Sequence, residues 1–461
     1  MSQWVSPDQI RERFSHAMSA MYRNEVPQYG ALLALVEVVN REMLAADTAL
    51  AERLDAAGDA QRLSVERHGA IRVGTPAELA MLRRLFAVMG MFPVGYYDLS
   101  QAGVPVHSTA FRPVDDDALR ANPFRVFTSL LRPELIASAA LRERALAILH
   151  ARDIFTPGVK ALIERCELQG GLDKREADTF VGEALETFRW HSDATVDRPT
   201  YESLSAEHRL LADVVCFRGP HINHLTPRTL DIDEVQRRMP GYGIDPKAII
   251  EGPPNRRCPL LLRQTSFKAL EEPVRFAGSD AGFHTARFGE IEQRGVALTA
   301  KGRALYDRLL AASRQGEPAP DNAAHQARLA DAFAEFPDDE EALRRAGLAF
   351  FHYWPTRDQG ALGLGAEEIR AASVETLLEH GALWTTPMVY EDFLPVSAAG
   401  IFQSNLSQAG SATPKEEANR SRPNQAQFEA ALGAPVVDEI ALYAERERAS
   451  LNAALETLTG E

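Results

Sequence analysis

The sequence predicts an α+β fold built from two modules, each running strand, helix, then further strands, with helices wrapped around the pair. Three observations predict it. The order strand, helix, strands occurs twice, once within residues 61–133 and again within residues 211–298. A histidine stands near the start of each copy, His68 in the first and His224 in the second. The stretches before, between and after the copies are rich in Ala, Leu, Arg and Glu at helical spacing. The repeat lies in element order, not in residue identity.

Taken in order, residues 1–60 read as helices. Ser6-Pro7-Asp8 offers an N-cap with proline at the first helical position, and Ile10, Phe14, Met18 and Met21 recur at helical spacing. A second helix is expected over 28–57, stopped by Gly58. The first module, 61–133, opens with a strand over 65–73. Thr75-Pro76-Ala77-Glu78 then starts a helix that ends at Gly90, and strands follow at 92–99, 104–112 and 124–131. Residues 134–210 form a helical insertion. The second module, 211–298, has a strand signal at 222–225 and a helix signal at 231–239. After a Gly/Pro-rich loop come strands at 260–267, 274–276 and 284–293. Residues 299–381 are read as helical, 382–404 as a late core strand, and 405–461 as a polar loop followed by a helix over 429–458.

With 461 residues, 45% of them hydrophobic and 25% charged, the composition is that of a soluble globular protein. The formal charge of −15 argues against nucleic acid as a partner, because phosphate neutralisation needs a surplus of Lys and Arg. It leaves room for a small anion held by a local arginine. The three cysteines, Cys166, Cys216 and Cys258, have no CxxC spacing, and their low number suits a reducing cytoplasm. No apolar run approaches the roughly 18 residues of a membrane span, and no signal peptide is expected at the start of the chain.

The chemistry concentrates in three strand-like stretches. Arg287-Phe-Gly-Glu290-Ile-Glu292-Gln-Arg294 carries two carboxylates on one strand face, since residues two apart point the same way. A carboxylate aimed inward needs a cation. One of the two could bind a metal while the other pairs with Arg294 or Arg287. Two histidine-bearing stretches offer neutral nitrogen ligands, and two His plus one carboxylate is the donor set of non-haem Fe(II) oxygenases. Arg72, four residues after His68, shares its strand face and suits a forked grip on a carboxylate. His221 and His224 face opposite sides of a strand, so one of them serves as ligand. The strand context favours His224 and leaves His221 as its support. His107 and His284 are spare candidates. Each piece alone is also what a satisfied core histidine, a surface arginine or a charged strand edge looks like.

Glu290-Ile-Glu-Gln-Arg-Gly resembles a strand of the 4-hydroxyphenylpyruvate dioxygenase and hydroxymandelate synthase group in the vicinal oxygen chelate superfamily. Together with Arg67-His68-Gly-Ala-Ile-Arg72, His221-Ile-Asn-His224-Leu-Thr-Pro-Arg and Tyr390-Glu-Asp-Phe-Leu-Pro-Val396-Ser397, it resembles the 2-oxoadipate dioxygenase/decarboxylase family over most of the chain. That resemblance implies paired β-α-β-β-β modules forming a curved central sheet. It implies Fe(II) on His68, His224 and Glu290, with Glu292 and His221 in support. Arg72, Val396 and Ser397 would contact the substrate. The implied reaction takes 2-oxoadipate and O₂ to (R)-2-hydroxyglutarate and CO₂ in lysine catabolism, with the substrate serving as its own reductant. An O₂-independent isomerase or lyase of glyoxalase type and a non-catalytic binding protein are the competing expectations.

Overall fold

The computed structural model describes residues 4–278, 281–314, 321–356, 365–394 and 424–460. The first helix, Pro7–Glu25, begins at Ser6, whose hydroxyl accepts from the Gln9 N–H while the Gln9 side chain accepts from the Ser6 N–H. The expected second helix is instead two, Pro27–Ala46 and Thr48–Ala56, and a third, unexpected one, Asp59–Val65, follows them. Asp47 divides the first two by accepting from the Leu50 N–H, and Gly58, at φ 73°, turns the chain into the third. The strand expected at 65 therefore starts two residues later.

The first module is β1 (Arg67–Val73), the helix Pro76–Val88, β2 (Phe92–Asp98), β3 (Val106–Arg112) and β4 (Arg125–Leu131). β1 and β4 run parallel, while β3 is antiparallel to both β2 and β4. β5 (His224–Pro227) adds to the free side of β1, giving a five-stranded sheet of order β2-β3-β4-β1-β5.

The second module repeats this plan with irregular edges. After β5 comes the helix Ile232–Arg238, then β6 (Leu262–Ser266). Two further strands, β7 (Glu271–Arg275) and β8 (Ala281–Thr285), precede β9 (Glu290–Arg294). β9 pairs antiparallel with β6 and bridges in parallel to the end of β5 at Arg228–Glu292. Glu251 bridges to Gln264 on the other side of β6. The order β5, β9, β6, Glu251 thus mirrors β1, β4, β3, β2, and the architecture is the expected α+β fold of two paired modules.

Three sequence expectations are corrected. The stretches expected as core strands at 274–276 and 284 onward form a hairpin, β7 with β8, whose Phe283 is largely exposed. It stands outside the module because β8 is spent on pairing with β7, and β9 starts only at Glu290. The region read as wholly helical contains β10 (Phe351–Pro355), which pairs with β11 (Leu383–Pro387). The late strand therefore completes a separate two-stranded sheet and not the central one. The final helix is interrupted at Gly433, at φ 73°, two residues before Pro435, and resumes as Glu439–Thr459.

Strand alternation sorts the two faces of the sheet. The outer face (Ile71, Val73, Phe111, Val126, Leu130) packs on the helix Pro76–Val88 and the N-terminal helices in one apolar core. The inner face carries His68, Ala70 and Arg72 from β1 and Arg125, Phe127 and Ser129 from β4, and β5 and β9 present their histidine and carboxylates to the same side. This face is buried and mostly polar, which is unusual enough to require partners for every charge.

Candidate metal centre

The β1–β5 register sets the two histidines. His224 stands opposite Ala70, so it lies diagonal to His68 on the same face. Their rings meet edge to face with centroids 5.4 Å apart. Gly69 permits this approach. A Cβ there would lie 2.5 Å from Ile222 Cδ1 and 3.0 Å from the His224 carbonyl oxygen. Glu290 enters from β9. Its Oε1 is 3.5 Å from His68 Nε2 and its Oε2 3.7 Å from His224 Nε2. One donor atom from each of the three residues lies within 4.8 Å of the other two, and all three side chains are buried.

Neither Nε2 makes a hydrogen bond, and neither does Glu290 Oε2, among the described residues. Three buried polar atoms aimed at one point without partners are costly unless a cation sits there. Two nitrogens and one carboxylate oxygen fit a divalent transition metal, and they leave coordination positions open. Burial, with help from His68 and Arg72, holds the His224 imidazole well below its usual range, so it is neutral and ready to coordinate. Burial pushes the Glu290 carboxyl up against the pull of His68. Burial also acts on His68, but the Glu292 and Glu290 carboxylates outweigh it and raise the imidazole. Both the His68 and the Glu290 shifts favour the protonated form, so the site gains from a positive charge placed between these groups.

Glu292 lies directly behind this cluster. Its Oε2 is 2.9 Å from His68 Nδ1, and Arg294 donates to both of its oxygens at 2.9 and 2.8 Å. Burial alone would raise this carboxyl, yet Arg294 and His68 bring it down to about 2. Arg294, not Arg287, is its partner; Arg287 bonds Glu25 and Glu272. A carboxylate on the far nitrogen of a histidine is the usual way a metal ligand is oriented and its tautomer fixed. Gln264, opposite Glu292 on β6, donates to Glu290 Oε1 and leaves Oε2 as the unpartnered oxygen. Phe393 packs edge-on against His68 and Phe288 tilts over His224, so apolar rings screen the cluster.

Arg72 faces the same side as His68 and bonds Asp213 through Nη1 at 2.6 Å. Asp213 is a hub. Its Oδ1 lies 3.2 Å from His221 Nε2 and 3.1 Å from His284 Nε2, and Tyr201 bonds the other nitrogen of His284 at 2.9 Å. Burial would raise Asp213, but His221 and Arg72 hold it well below the usual carboxylate range. His221 therefore supports the arginine side of the pocket and has no contact with the ligand cluster. His284 does the same, and His107 points to the other face of the sheet beside Phe428. Val396 and Ser397 lie outside the described residues. Gln264 and Asp213 carry no sequence signal, because one gains its role from cross-strand register and the other from a helix packed over β1.

A family model for 2-oxoadipate dioxygenase/decarboxylase matches residues 14–405. The chain is 58% identical to the 2-oxoadipate dioxygenase/decarboxylase of Escherichia coli (strain K12) over 457 residues, covering 98% of each chain. It is also 58% identical to the Pseudomonas putida protein of the same name over 461 residues, covering 99% of this chain and 98% of that one. A crystal structure of hydroxyglutarate synthase from Pseudomonas putida in complex with 2-oxoadipate superposes with a TM-score of 0.91 at 55% identity, covering 99% of this chain and 100% of that one.

Proposed function

This chain belongs to the 2-oxoadipate dioxygenase/decarboxylase family, and on that premise we propose that it converts 2-oxoadipate and O₂ to (R)-2-hydroxyglutarate and CO₂, as a step of lysine catabolism. The observation that carries the reading is the convergence of His68, His224 and Glu290, buried and unpartnered, on one point. The relatives' names supply the substrate class, and the donor set supplies the reason for Fe(II) and O₂. His68, His224 and Glu290 would hold Fe(II), whose open positions would offer a place for the 2-oxo acid to chelate and for O₂ to be activated.

The chain's own residues do the rest. Glu292 takes the Nδ1 side of His68 and so leaves Nε2 as its coordinating atom. Gln264 holds one oxygen of Glu290 and turns the other toward the two histidines. Arg72, fixed by Asp213, grips the carboxylate at the substrate's far end. Val396 and Ser397 line the pocket on the same proposal. Phe393 and Phe288 exclude water from the reacting end, which strengthens each of these interactions.

The same reading treats residues 61–133 and 211–298 as the catalytic modules. Residues 1–60, 134–210, 299–381, 382–404 and 405–461 are their surroundings. It places the enzyme in the cytoplasm, in keeping with three free cysteines. Among the described residues no helix is long and apolar enough to cross a membrane.

The test is O₂ uptake by the anaerobically Fe(II)-loaded protein on addition of 2-oxoadipate, with the product followed by mass spectrometry. One O₂ consumed per 2-hydroxyglutarate formed is expected. Turnover without O₂, or iron-loaded protein that leaves 2-oxoadipate unchanged, overturns the proposal.

A further inference from the structure

One row of side chains crosses the floor of the metal centre. His68 on β1 stands opposite Thr226 on β5. Arg228, two residues further along the chain, bridges in parallel to Glu292 on β9, so Thr226 is level with Glu290. Glu290 in turn stands opposite Ser266 on β6. Paired residues present their side chains on the same face of a sheet. The row therefore reads His68, Thr226, Glu290, Ser266. His224 is two residues from Thr226 on the same strand and shares its face. All three candidate ligands thus surround Thr226, and Ser266 flanks Glu290.

Thr226 and Ser266 are fully buried, and among the described residues neither hydroxyl has a hydrogen-bond partner. A buried hydroxyl in that state is destabilising. Valine would fill the Thr226 site without the penalty, and alanine would remove it at Ser266. Two such hydroxyls in one row with two metal ligands call for an acceptor that arrives from outside. A 2-oxo acid brings carboxylate and keto oxygens to this place. Hydroxyls suit the task for an electrostatic reason as well. A Lys or Arg beside the ligands would repel a bound cation, whereas a neutral donor adds a hydrogen bond and no charge.

Resting on the 2-oxo acid reading above, we propose that the hydroxyls of Thr226 and Ser266 donate to the oxo-acid end of the substrate, from the floor of the site. Arg72, four residues along β1 from His68 and so about 13 Å away at the backbone, takes the opposite carboxylate. The two ends of the substrate are then recognised by separate groups, neutral donors at one and a guanidinium at the other.

The test compares wild type, Thr226→Val, Ser266→Ala and Arg72→Ala, each loaded anaerobically with Fe(II). Each is titrated calorimetrically with 2-oxoadipate and with 2-oxohexanoate, which has a methyl group where 2-oxoadipate has its far carboxylate. Thr226→Val and Ser266→Ala each weaken both acids by about tenfold, whereas Arg72→Ala weakens 2-oxoadipate alone. Thr226→Ser binds as wild type does. Iron content is unchanged, and the metal-free Val and Ala variants melt at or above the wild-type temperature, because an unpartnered hydroxyl has gone. Wild-type affinity in both hydroxyl variants overturns the inference, as does a lowered melting temperature with loss of iron. A wild type that binds iron but neither acid overturns the proposed function, and this inference with it.

Discussion

Glu292 lies two residues from the candidate ligand Glu290 and shares its strand face, yet its surroundings are different. It reaches His68 Nδ1 at 2.9 Å while Arg294 occupies both of its oxygens, whereas Glu290 keeps one oxygen without a partner among the described residues. The difference comes from what lies opposite and beside each residue, not from their side chains. Single Ala substitutions should separate them. Glu290→Ala should lose iron altogether, with turnover falling to background. Glu292→Ala should retain iron with an affinity reduced about 10–100-fold, the usual cost of removing a group behind a metal-bound histidine. Iron content by plasma spectrometry, read beside O₂ uptake, checks both. At the other end of the pocket Arg72→Ala should raise the KM for 2-oxoadipate about 10–100-fold, the worth of a charge-assisted pair, while iron stays bound. Asp213→Asn should move in the same direction by a smaller factor, since it positions the arginine and has no contact with the ligand cluster. Iron loss in the Arg72 variant would instead make that residue a support for His68.

At the scale of elements, the site depends on how closely β5 can lie against β1. Gly69 sets that approach, because a side chain there meets Ile222 and the backbone oxygen of His224. Gly69→Val should push β5 outward, misplace His224 and lose iron, and a folded, iron-replete Gly69→Val protein would refute this role. The last helix offers a second test. Glu439 begins it beside the Asp392 carboxylate, and burial followed by that neighbour raises its carboxyl to about 7. A folded-state value above the unfolded one means that the contribution to stability is complete below about pH 4.5 and is lost as pH rises through about 7. Glu439→Gln should therefore melt like wild type at pH 4 and be more stable by about 1 kcal/mol at pH 8. Calorimetric scans at the two pH values give the answer.

The whole molecule is held around the inner face of the sheet by a buried network of ion pairs. Glu391 binds Arg62 through both oxygens and also contacts Arg125, which in turn holds Glu66. Arg228 and Arg294 approach Glu66 from the second module, and Arg112 pairs with Asp392. This network links the residues just before β1, β3, β4, β9 and the segment after β11, so it clamps the two modules together beside the candidate ligand cluster. Burial raises Glu391 and Glu66, but their arginines outweigh it and hold both carboxyls below the normal range. Carboxyls depressed in the folded state stabilise it above about pH 4.5 and lose that contribution as pH falls through their folded values. The contribution of this network should be nearly constant from pH 7 to 5, and the melting temperature should fall steeply below about pH 4.5. Glu391→Gln should cost about 3–5 kcal/mol in denaturant unfolding, because Arg62 and Arg125 lose one of the two buried carboxylates they share.

The sequence by itself showed the repeated element order and singled out the candidate ligands, and its resemblance to one family implied an anionic substrate. Period-two alternation put His68 with Arg72 and Glu290 with Glu292, capping residues placed the helices, and the combination of motifs pointed to one family. These are local properties, carried by residues a few positions apart. Only the tertiary structure decided which stretches pair with which. It set β7 with β8 apart as a hairpin, matched β10 with β11, split the second and last helices, and sent His221 and His284 to Asp213 instead of to the ligand cluster. It also aligned Thr226 and Ser266 with the ligands and set Gln264 against Glu290. Strand register between distant segments is fixed by the packing of the whole sheet, and no short window of sequence contains it.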